Sequence, residues 1–204
     1  EVLRDHPVNV ARRERGQIPA TQAWLFWGTG QMPEIPSFKQ LYGLDAVMTS
    51  GVDLLKGLAV MSGIKVLEIP GVSDGPDNDY AAQATGALKS LENADLAVIH
   101  VEAPDEAGHS GSVEEKVKAI ARVDREIAAR LRAWRPGTLR VLAMPDHPTP
   151  IEVQTHVAEP VPFLLWGPGI KAHGGDGYSE ALAKATGVYV DKGHTLLGKL
   201  IGGW

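Results

Sequence analysis

Residues 98–109 read VIHVEAPDEAGH, and this stretch decides the fold prediction. Its first residues are apolar and rich in Val and Ile, which is typical of a buried strand. Pro104 then ends the strand pattern and begins a predicted turn that carries Asp105 and His109. In open parallel sheets, ligands bind where the strands end and the loops begin. An acid and a histidine at this position therefore favour metal or phosphate chemistry.

Short apolar segments of this kind recur along the chain and alternate with helical patterns. Strands are predicted at residues 23–27, 46–49, 64–69, 95–101, 139–144 and 161–166. Helices are predicted at residues 53–61, 80–91, 113–134, 179–185 and 195–201. Such an alternation predicts an α/β fold with a largely parallel sheet and helices on both faces.

The composition excludes several kinds of site and partner. The chain has 204 residues, a formal net charge of -5 and no cysteine, so disulfides, thiolate metal sites and cysteine nucleophiles are excluded. The sequence has no Lys/Arg cluster beyond residues 12–15, which argues against nucleic acid as a partner. The N-terminus has no apolar signal-peptide core, and no apolar run approaches the roughly 20 residues of a membrane span. We therefore expect a cytoplasmic protein with no membrane partner.

The N-terminal residues differ in character from the rest of the chain. Residues 1–20 are polar and punctuated by Pro7, Gly16 and Pro19, which predicts a connecting segment. Residues 21–204 have no clear internal boundary and predict one domain. The chain starts without methionine, in what reads as the middle of a sequence. We therefore expect residues 1–20 to continue from an upstream part that these residues do not include.

Acids and histidines stand next to three of the predicted strands. They are Asp105 with His109 after strand 95–101, Asp146 with His147 after strand 139–144, and His156 before strand 161–166. Each alone is also typical of ordinary surface or turn residues. Together at one edge of a parallel sheet, carboxylates and imidazoles suit Zn²⁺ or Mn²⁺, and a pair of such ions suits phosphoryl transfer.

Several motifs carry a resemblance to a known family. They are HVEAPDEAGH at residues 100–109 with Lys116 and Asp124, HPVN at 6–9 with Arg12, WLFWGTG at 24–30, VDLLKG at 52–57, DHPTP at 146–150 with His156, and PVPF at 160–163. In this combination the chain resembles, nearly end to end, the archaeal-type cofactor-independent (2,3-bisphosphoglycerate-independent) phosphoglycerate mutases. This family belongs to the alkaline phosphatase superfamily, so the resemblance implies an alkaline-phosphatase-like fold.

The resemblance also implies an activity and a set of site residues. The family is a group of glycolytic isomerases that pass a phosphoryl group between two hydroxyls of phosphoglycerate through a phosphoserine, with two Mn²⁺ or Zn²⁺ ions. By motif, Asp105, His109 and His156 would hold one metal, Asp146 and His147 would hold the other, and Arg12 and Lys56 would lie near the substrate phosphate or carboxylate.

The family pattern also includes parts that are not found here. The nucleophilic serine, a further aspartate of the second metal site and an inserted cap domain all precede the stretch that resembles these residues. The resemblance therefore implies the C-terminal half of a catalytic domain, inactive alone and able to self-associate through the face left by the missing half. Two alternatives stay open: a phosphatase or other phosphotransferase of the same superfamily, and a catalytically inactive partial domain.

Overall fold

The computed structural model describes residues 2–24, 30–135, 138–173 and 177–203. The chain divides into two compact units, residues 1–35 and residues 36–204. Of the strand predicted at 23–27, residues 23 and 24 have no regular structure and residues 25–27 lie outside the described part. The predicted boundary near residue 20, and the upstream continuation, stay predictions.

The first unit contains a helix that the sequence analysis did not predict. Helix α1 (Pro7–Glu14) has Pro at its first position, and His6 Nδ1 accepts a hydrogen bond from the Val8 N–H at 3.3 Å. The buried Asn9 amide donates to Leu3 O at 2.7 Å and to Ala20 O at 2.8 Å, and accepts from the Ala20 N–H at 2.9 Å. The buried Asn9 amide therefore orders this polar segment. A search for periodic apolar residues cannot predict such an element.

The second unit is built on a short parallel sheet. Its strands are β1 (Ala46–Thr49), β2 (Lys65–Val66) and β3 (Leu96–Ile99), in the order β2-β1-β3. Val47 stands opposite Lys65 on one side and Ala97 on the other. A separate antiparallel pair follows, β4 (Val141–Ala143) with β5 (Leu164–Trp166). The predicted α/β fold with a parallel sheet is confirmed, while the last two predicted strands form an antiparallel pair.

The five stretches of the second unit predicted to be helical contain helices close to the predicted positions. In chain order, the helices of this unit are α2 (Phe38–Tyr42), α3 (Asp53–Met61), α4 (Tyr80–Ser90), α5 (Ala103–His109), α6 (Val113–Arg122), α7 (Ala129–Ala133), α8 (Glu180–Ala185) and α9 (Leu196–Gly202). Two of them, α2 and α5, were not predicted. A π-helical segment (Val123–Ala128) joins α6 to α7, and a 3-10 turn (Gly193–Thr195) precedes α9. Within the described ranges, none of these helices has the length and apolar character needed to cross a membrane.

The π-helical segment changes which side chains face the core. The stripe predicted over residues 113–134 is continuous in sequence, yet Val117 and Ile120 are 60% and 54% exposed while Ile127 is 5% exposed. A π turn holds one residue more than an α turn, so it rotates the following side chains relative to the preceding ones. The stripe positions after Arg122, which are Val123, Ile127 and Leu131, therefore face the core, while Val117 and Ile120 before it face outward.

Small side chains let the helices approach the sheet closely. Tyr80 and Ala84 of α4 pack with Ala103, Ala119 and Ile127, and all five are buried. Side chains of the β3 region, among them Ile99, pack against this cluster. The core therefore lies between β3 and the helices that follow β2 and β3, directly behind the strand ends where ligands were expected.

Arg140 ties the antiparallel pair to the C-terminal helix. Its Nε donates to Pro168 O at 2.8 Å, and its Nη1 donates to Ile201 O at 2.6 Å and Leu200 O at 3.2 Å. Two of these carbonyls belong to the last turn of α9, where no intrahelical donor remains for them.

Arg140→Met is therefore expected to lower the free energy of unfolding by about 1–3 kcal/mol, since it removes charge-assisted hydrogen bonds and leaves carbonyls without a donor. Urea unfolding would measure this change. The exposed Arg132 of α7 is the control, and Arg132→Met is expected to change stability by less than about 0.5 kcal/mol. Equal urea midpoints for the two variants would contradict the assigned role of Arg140.

Candidate metal centre

The residues after β3 form a helix, and the prediction of a turn there is wrong. Pro104 lies in the first turn of α5, where its missing N–H costs no hydrogen bond. Asp105 and Glu106 also lie in that first turn, where acids are favoured by the helix dipole. The helix places Asp105 and His109 on one face, four residues apart, with His109 Nε2 3.2 Å from Asp105 Oδ2.

His156 joins this pair from a segment about fifty residues later in the chain. Its Nε2 lies 3.0 Å from His109 Nε2 and 3.4 Å from Asp105 Oδ1. Three ligand atoms bound at about 2.0–2.1 Å to one ion, at octahedral or tetrahedral angles, are separated by about 2.9–3.4 Å. The spacing and the nitrogen and oxygen chemistry of these atoms therefore fit a divalent cation.

A backbone carbonyl orients the His109 ring. His109 Nδ1 lies 3.0 Å from Gln154 O, and a carbonyl can only accept a hydrogen bond. Nδ1 therefore carries the proton, which leaves a lone pair on Nε2 for a metal. Gln154 holds this carbonyl with a φ of 56°, a left-handed conformation that is uncommon for a residue with a side chain.

Asp146 and His147 lie beside the same cluster. His147 Nε2 is 3.3 Å from Asp146 Oδ2, and the Asp146 side chain is 80% exposed. The His147 ring stacks on the His156 ring with 3.7 Å between centroids. Ligand atoms of Asp105, His147 and His156 lie within 4.8 Å of one another. Asp105, His109 and His156 have atom-to-atom distances of 3.0–3.4 Å, so they form another candidate set for a single ion.

A third acid, which the sequence analysis left unassigned, borders the cluster. Carboxyl oxygens of Glu102, Asp105 and Glu106 lie within 4.8 Å of one another. Burial, and then the nearby charges of Asp105, Glu106 and Asp146, raise the pKa of Glu102. Glu102 Oε2 also lies 3.2 Å from His100 Nε2. Negative charge is therefore concentrated at this end of β3, which favours a cation.

His100 connects the cluster to the neighbouring strand. Its Nδ1 lies 3.0 Å from the hydroxyl of Ser50, which directly follows β1. Its carbonyl accepts a hydrogen bond from the fully buried Gln83 at 2.7 Å. Burial lowers the pKa of His100, and this effect is opposed by the nearby charges of Asp146 and Asp105. The sequence patterns assigned these contacts to neither Ser50 nor Gln83, because both contacts form between distant segments.

The two residues expected near the substrate lie apart in the chain. Lys56 lies in α3, the helix that follows β1, and its Nζ is 3.3 Å from Asp53 Oδ1. Arg12 belongs to α1 in the first unit, and its Nε donates to Ile18 O at 2.7 Å. Their role in substrate binding stays a prediction.

Comparison with known proteins gives the class of this chain. Residues 7–195 match the model of the Metalloenzyme superfamily. The chain therefore belongs to this superfamily, in agreement with the cluster of carboxylates and imidazoles at the end of β3.

The relatives identify a narrower group. The chain is 41% identical, over 99% of its length, to the 2,3-bisphosphoglycerate-independent phosphoglycerate mutase of Methanothrix thermoacetophila. It is 42% identical, over 96% of its length, to phosphoglycerate mutase 2 of the same kind from Methanothermobacter thermautotrophicus. It covers 52% and 49% of these two proteins, so the chain spans about half the length of the curated relatives it matches. The resemblance drawn from the motifs is confirmed.

Solved structures agree with the fold. A Pyrococcus horikoshii protein superposes with a TM-score of 0.78 at 27% identity, over 82% of this chain and 52% of its own. The cofactor-independent phosphoglycerate mutase of Thermoplasma acidophilum superposes with a TM-score of 0.60 at 20% identity, over 92% of this chain and 44% of its own. The alkaline-phosphatase-like fold expected from the motifs is therefore confirmed.

Proposed function

We propose that these residues form part of an enzyme that interconverts 3-phosphoglycerate and 2-phosphoglycerate by metal-dependent phosphoryl transfer. The observation that carries the proposal is the convergence of Asp105, His109 and His156. Their two Nε2 atoms lie 3.0 Å apart, and each of them lies 3.2–3.4 Å from one oxygen of the Asp105 carboxylate. The names of the relatives support phosphoglycerate as the substrate. The enzyme would be an isomerase of glycolysis, and its cytoplasmic location stays a prediction.

The five candidate ligands divide between two ions in this proposal. Asp105, His109 and His156 hold the first, and Asp146 with His147 contributes to the second, with Mn²⁺ or Zn²⁺ as the metal. Two such ions supply charge neutralisation at the phosphoryl group and activation of the attacking oxygen. The protein's own part is to hold the ligand atoms ready in a region that is already rich in negative charge.

Other parts of the proposed reaction depend on residues beyond these 204. The chain spans about half of its relatives, so we propose that the phosphoserine and the remaining ligands of the second ion come from elsewhere in the protein. The chain then represents the C-terminal portion of a catalytic domain. Arg12 and Lys56 are the cations that we propose for the phosphate or carboxylate of the substrate.

The proposal predicts a specific product from the full-length protein. Supplied with Mn²⁺ or Zn²⁺ and 3-phosphoglycerate, it is expected to form 2-phosphoglycerate without releasing free phosphate, because the phosphoryl group is retained. Residues 1–204 alone are expected to give no conversion under the same conditions, because the serine would be missing. An assay of both products, with a metal-chelated sample as control, separates the outcomes.

Results that differ from this prediction would favour one of the alternative functions. Stoichiometric release of phosphate by the full-length protein would favour a phosphatase over a mutase. Conversion by residues 1–204 alone would contradict the division of the site between two parts. Lack of any turnover by the metal-loaded full-length protein would support an inactive relative. Sedimentation of residues 1–204 would test the predicted self-association.

A further inference from the structure

We propose that Thr149 is a positioning residue that sets the Asp105 carboxylate and the His147 ring for metal binding, and that Lys116 holds Thr149 in place. The inference rests on the proposed metal-binding function. Asp105 and His147 are assigned to different ions in that proposal, so a residue that contacts both would couple the two halves of the site.

Thr149 is buried between the two groups of candidate ligands. Its side chain is among the least exposed polar ones, at 4% exposure for the residue. The hydroxyl donates a short hydrogen bond to Asp105 Oδ1, and the same oxygen lies 3.4 Å from His147 Nδ1. Pro148 and Pro150 flank Thr149 and restrict the backbone on both sides. The backbone that carries the Thr149 hydroxyl therefore has little conformational freedom.

The proton of the hydroxyl determines what it can do for His147. A hydroxyl has a single proton, and the hydrogen bond from Thr149 to Asp105 Oδ1 uses it. Toward His147 Nδ1, the Thr149 oxygen must therefore act as an acceptor, which favours a proton on Nδ1 and a free lone pair on Nε2. Asp146 Oδ2, 3.3 Å from Nε2, favours the opposite tautomer. Thr149 thus biases His147 toward the tautomer in which Nε2, rather than Nδ1, is free to bind a metal.

Lys116 fixes the backbone of Thr149 from α6. Its Nζ donates to Thr149 O at 2.6 Å. Helix α5 passes close to this hydrogen bond at Gly108. A Cβ at residue 108 would lie 2.5 Å from Thr149 O and 2.9 Å from Lys116 Nζ, so a larger residue there would collide with both partners. Asp105 and His109 are on the same helix as Gly108, so α5, α6 and the segment that carries His147 are interlocked at this point.

The test compares three variants of the full-length protein, each stripped of metal and titrated with Mn²⁺ and with Zn²⁺ by calorimetry. Thr149→Val keeps the shape and removes the hydroxyl, and it is expected to lose roughly 10–100-fold in metal affinity. Thr149→Ser keeps the hydroxyl and is expected to retain the affinity. Lys116→Met is expected to weaken binding in the same direction by a smaller factor, because Thr149 keeps its hydroxyl but loses its anchor.

A second measurement needs no metal. The ¹⁵N shifts of His147 in the metal-free protein report the tautomer, and Thr149→Val is expected to lower the fraction protonated at Nδ1 while Thr149→Ser leaves it near the wild-type value. Urea unfolding of each metal-free variant checks that the fold is retained. If Thr149→Val does not fold, the metal affinity and the His147 tautomer of Lys116→Met are compared with those of Thr149→Ser.

The outcomes separate this inference from the proposed function. Wild-type affinity in Thr149→Val, or an equal loss in Thr149→Ser and Thr149→Val, would overturn the role of the hydroxyl. Failure of the wild-type protein to bind either metal would overturn the proposed function instead. In that case the tautomer of His147 still decides whether Thr149 positions the ring, because it is read without metal.

Discussion

His109→Ala is expected to lower the affinity for Mn²⁺ or Zn²⁺ by more than the roughly 10–100-fold that accompanies loss of a residue hydrogen-bonded to a metal ligand. His109 Nε2 is within 3.2 Å of both Asp105 Oδ2 and His156 Nε2, so its loss removes one of three converging side chains. The remaining two would have to bind the ion with solvent in place of the imidazole.

The same substitution is expected to leave the metal-free protein nearly as stable as before. His109 is the last residue of α5, its side chain is 35% exposed, and alanine is a good helix former. The loss of metal affinity without a loss of metal-free stability distinguishes a metal ligand from a packing residue. A ligand contributes to stability chiefly when the ion is present, whereas a packing residue contributes in both conditions.

Calorimetry and thermal unfolding with and without metal would measure this difference. At an ion concentration of about 100 times the dissociation constant, binding stabilises a protein by about 2.7 kcal/mol, and a hundredfold weaker variant gains about 0.4 kcal/mol. The control is His194→Ala, since His194 is exposed in the 3-10 turn near the C-terminus. A His109→Ala variant that binds metal as tightly as the His194→Ala control would exclude His109 as a ligand.

Gly51→Ala is expected to cause a large loss of stability in the unit 36–204. Gly51 follows β1, and a Cβ there would overlap the backbone of Ser73 and Asp74. Backbone atoms cannot rotate away as the end of a side chain can. The added methyl must therefore displace the segment between β2 and α4, at an expected cost of about 1–3 kcal/mol or more.

Buried polar contacts hold that segment in place. The Ser73 N–H donates to Asn78 Oδ1 at 3.1 Å, and Asn78 Nδ2 donates to Gln83 Oε1 at 3.0 Å. Arg122 adds bonds to Asn78 O at 2.9 Å and Pro76 O at 3.0 Å. Because Gln83 also bonds the carbonyl of His100, movement of the segment would reach the end of β3. We therefore expect Gly51→Ala to weaken metal binding as well as stability.

A second glycine in the same part of the chain provides the control. Gly57 lies within α3, and a Cβ there would meet nothing within 4 Å. Gly57→Ala is therefore expected to raise the free energy of unfolding by about 0.5–1 kcal/mol, since alanine loses less entropy in a helix. Urea midpoints at unchanged slope would compare the two variants. Equal midpoints for Gly51→Ala and Gly57→Ala would contradict the prediction, because they would show that the segment at Ser73 can move away from residue 51 without loss of stability.

Local patterns predicted most of the elements because their causes are local. Helix α3 begins and ends where its spacing and Gly63 predicted, and β1 matches its apolar run. The residues after β3 were harder, because Pro104 is compatible with both a turn and the first turn of a helix. The composition of residues 103–109 suited the helix, and the resulting register is what places Asp105 and His109 on one face.

Residue types and their spacing were enough to predict the kind of chemistry available at this site. Without cysteine, ligands had to be carboxylates and imidazoles, and the motifs marked Asp105, His109, Asp146, His147 and His156 as candidates. The sequence also predicted the alternation of strands and helices that puts strand ends at one edge. These properties follow from residue type and from spacing along the chain, which need no knowledge of long-range contacts.

Contacts between distant segments establish which of these residues meet and what orients them. His156 reaches Asp105 and His109 across almost fifty residues, and Gln154, Thr149 and Lys116 act on the ligands through a backbone carbonyl, a buried hydroxyl and a charged side chain. Such residues carry no motif, because a hydrogen bond to a ligand needs a donor or acceptor at one point in space and many residue types can supply it. Distances of about 3 Å are set by packing between segments, and no pattern along the chain encodes them.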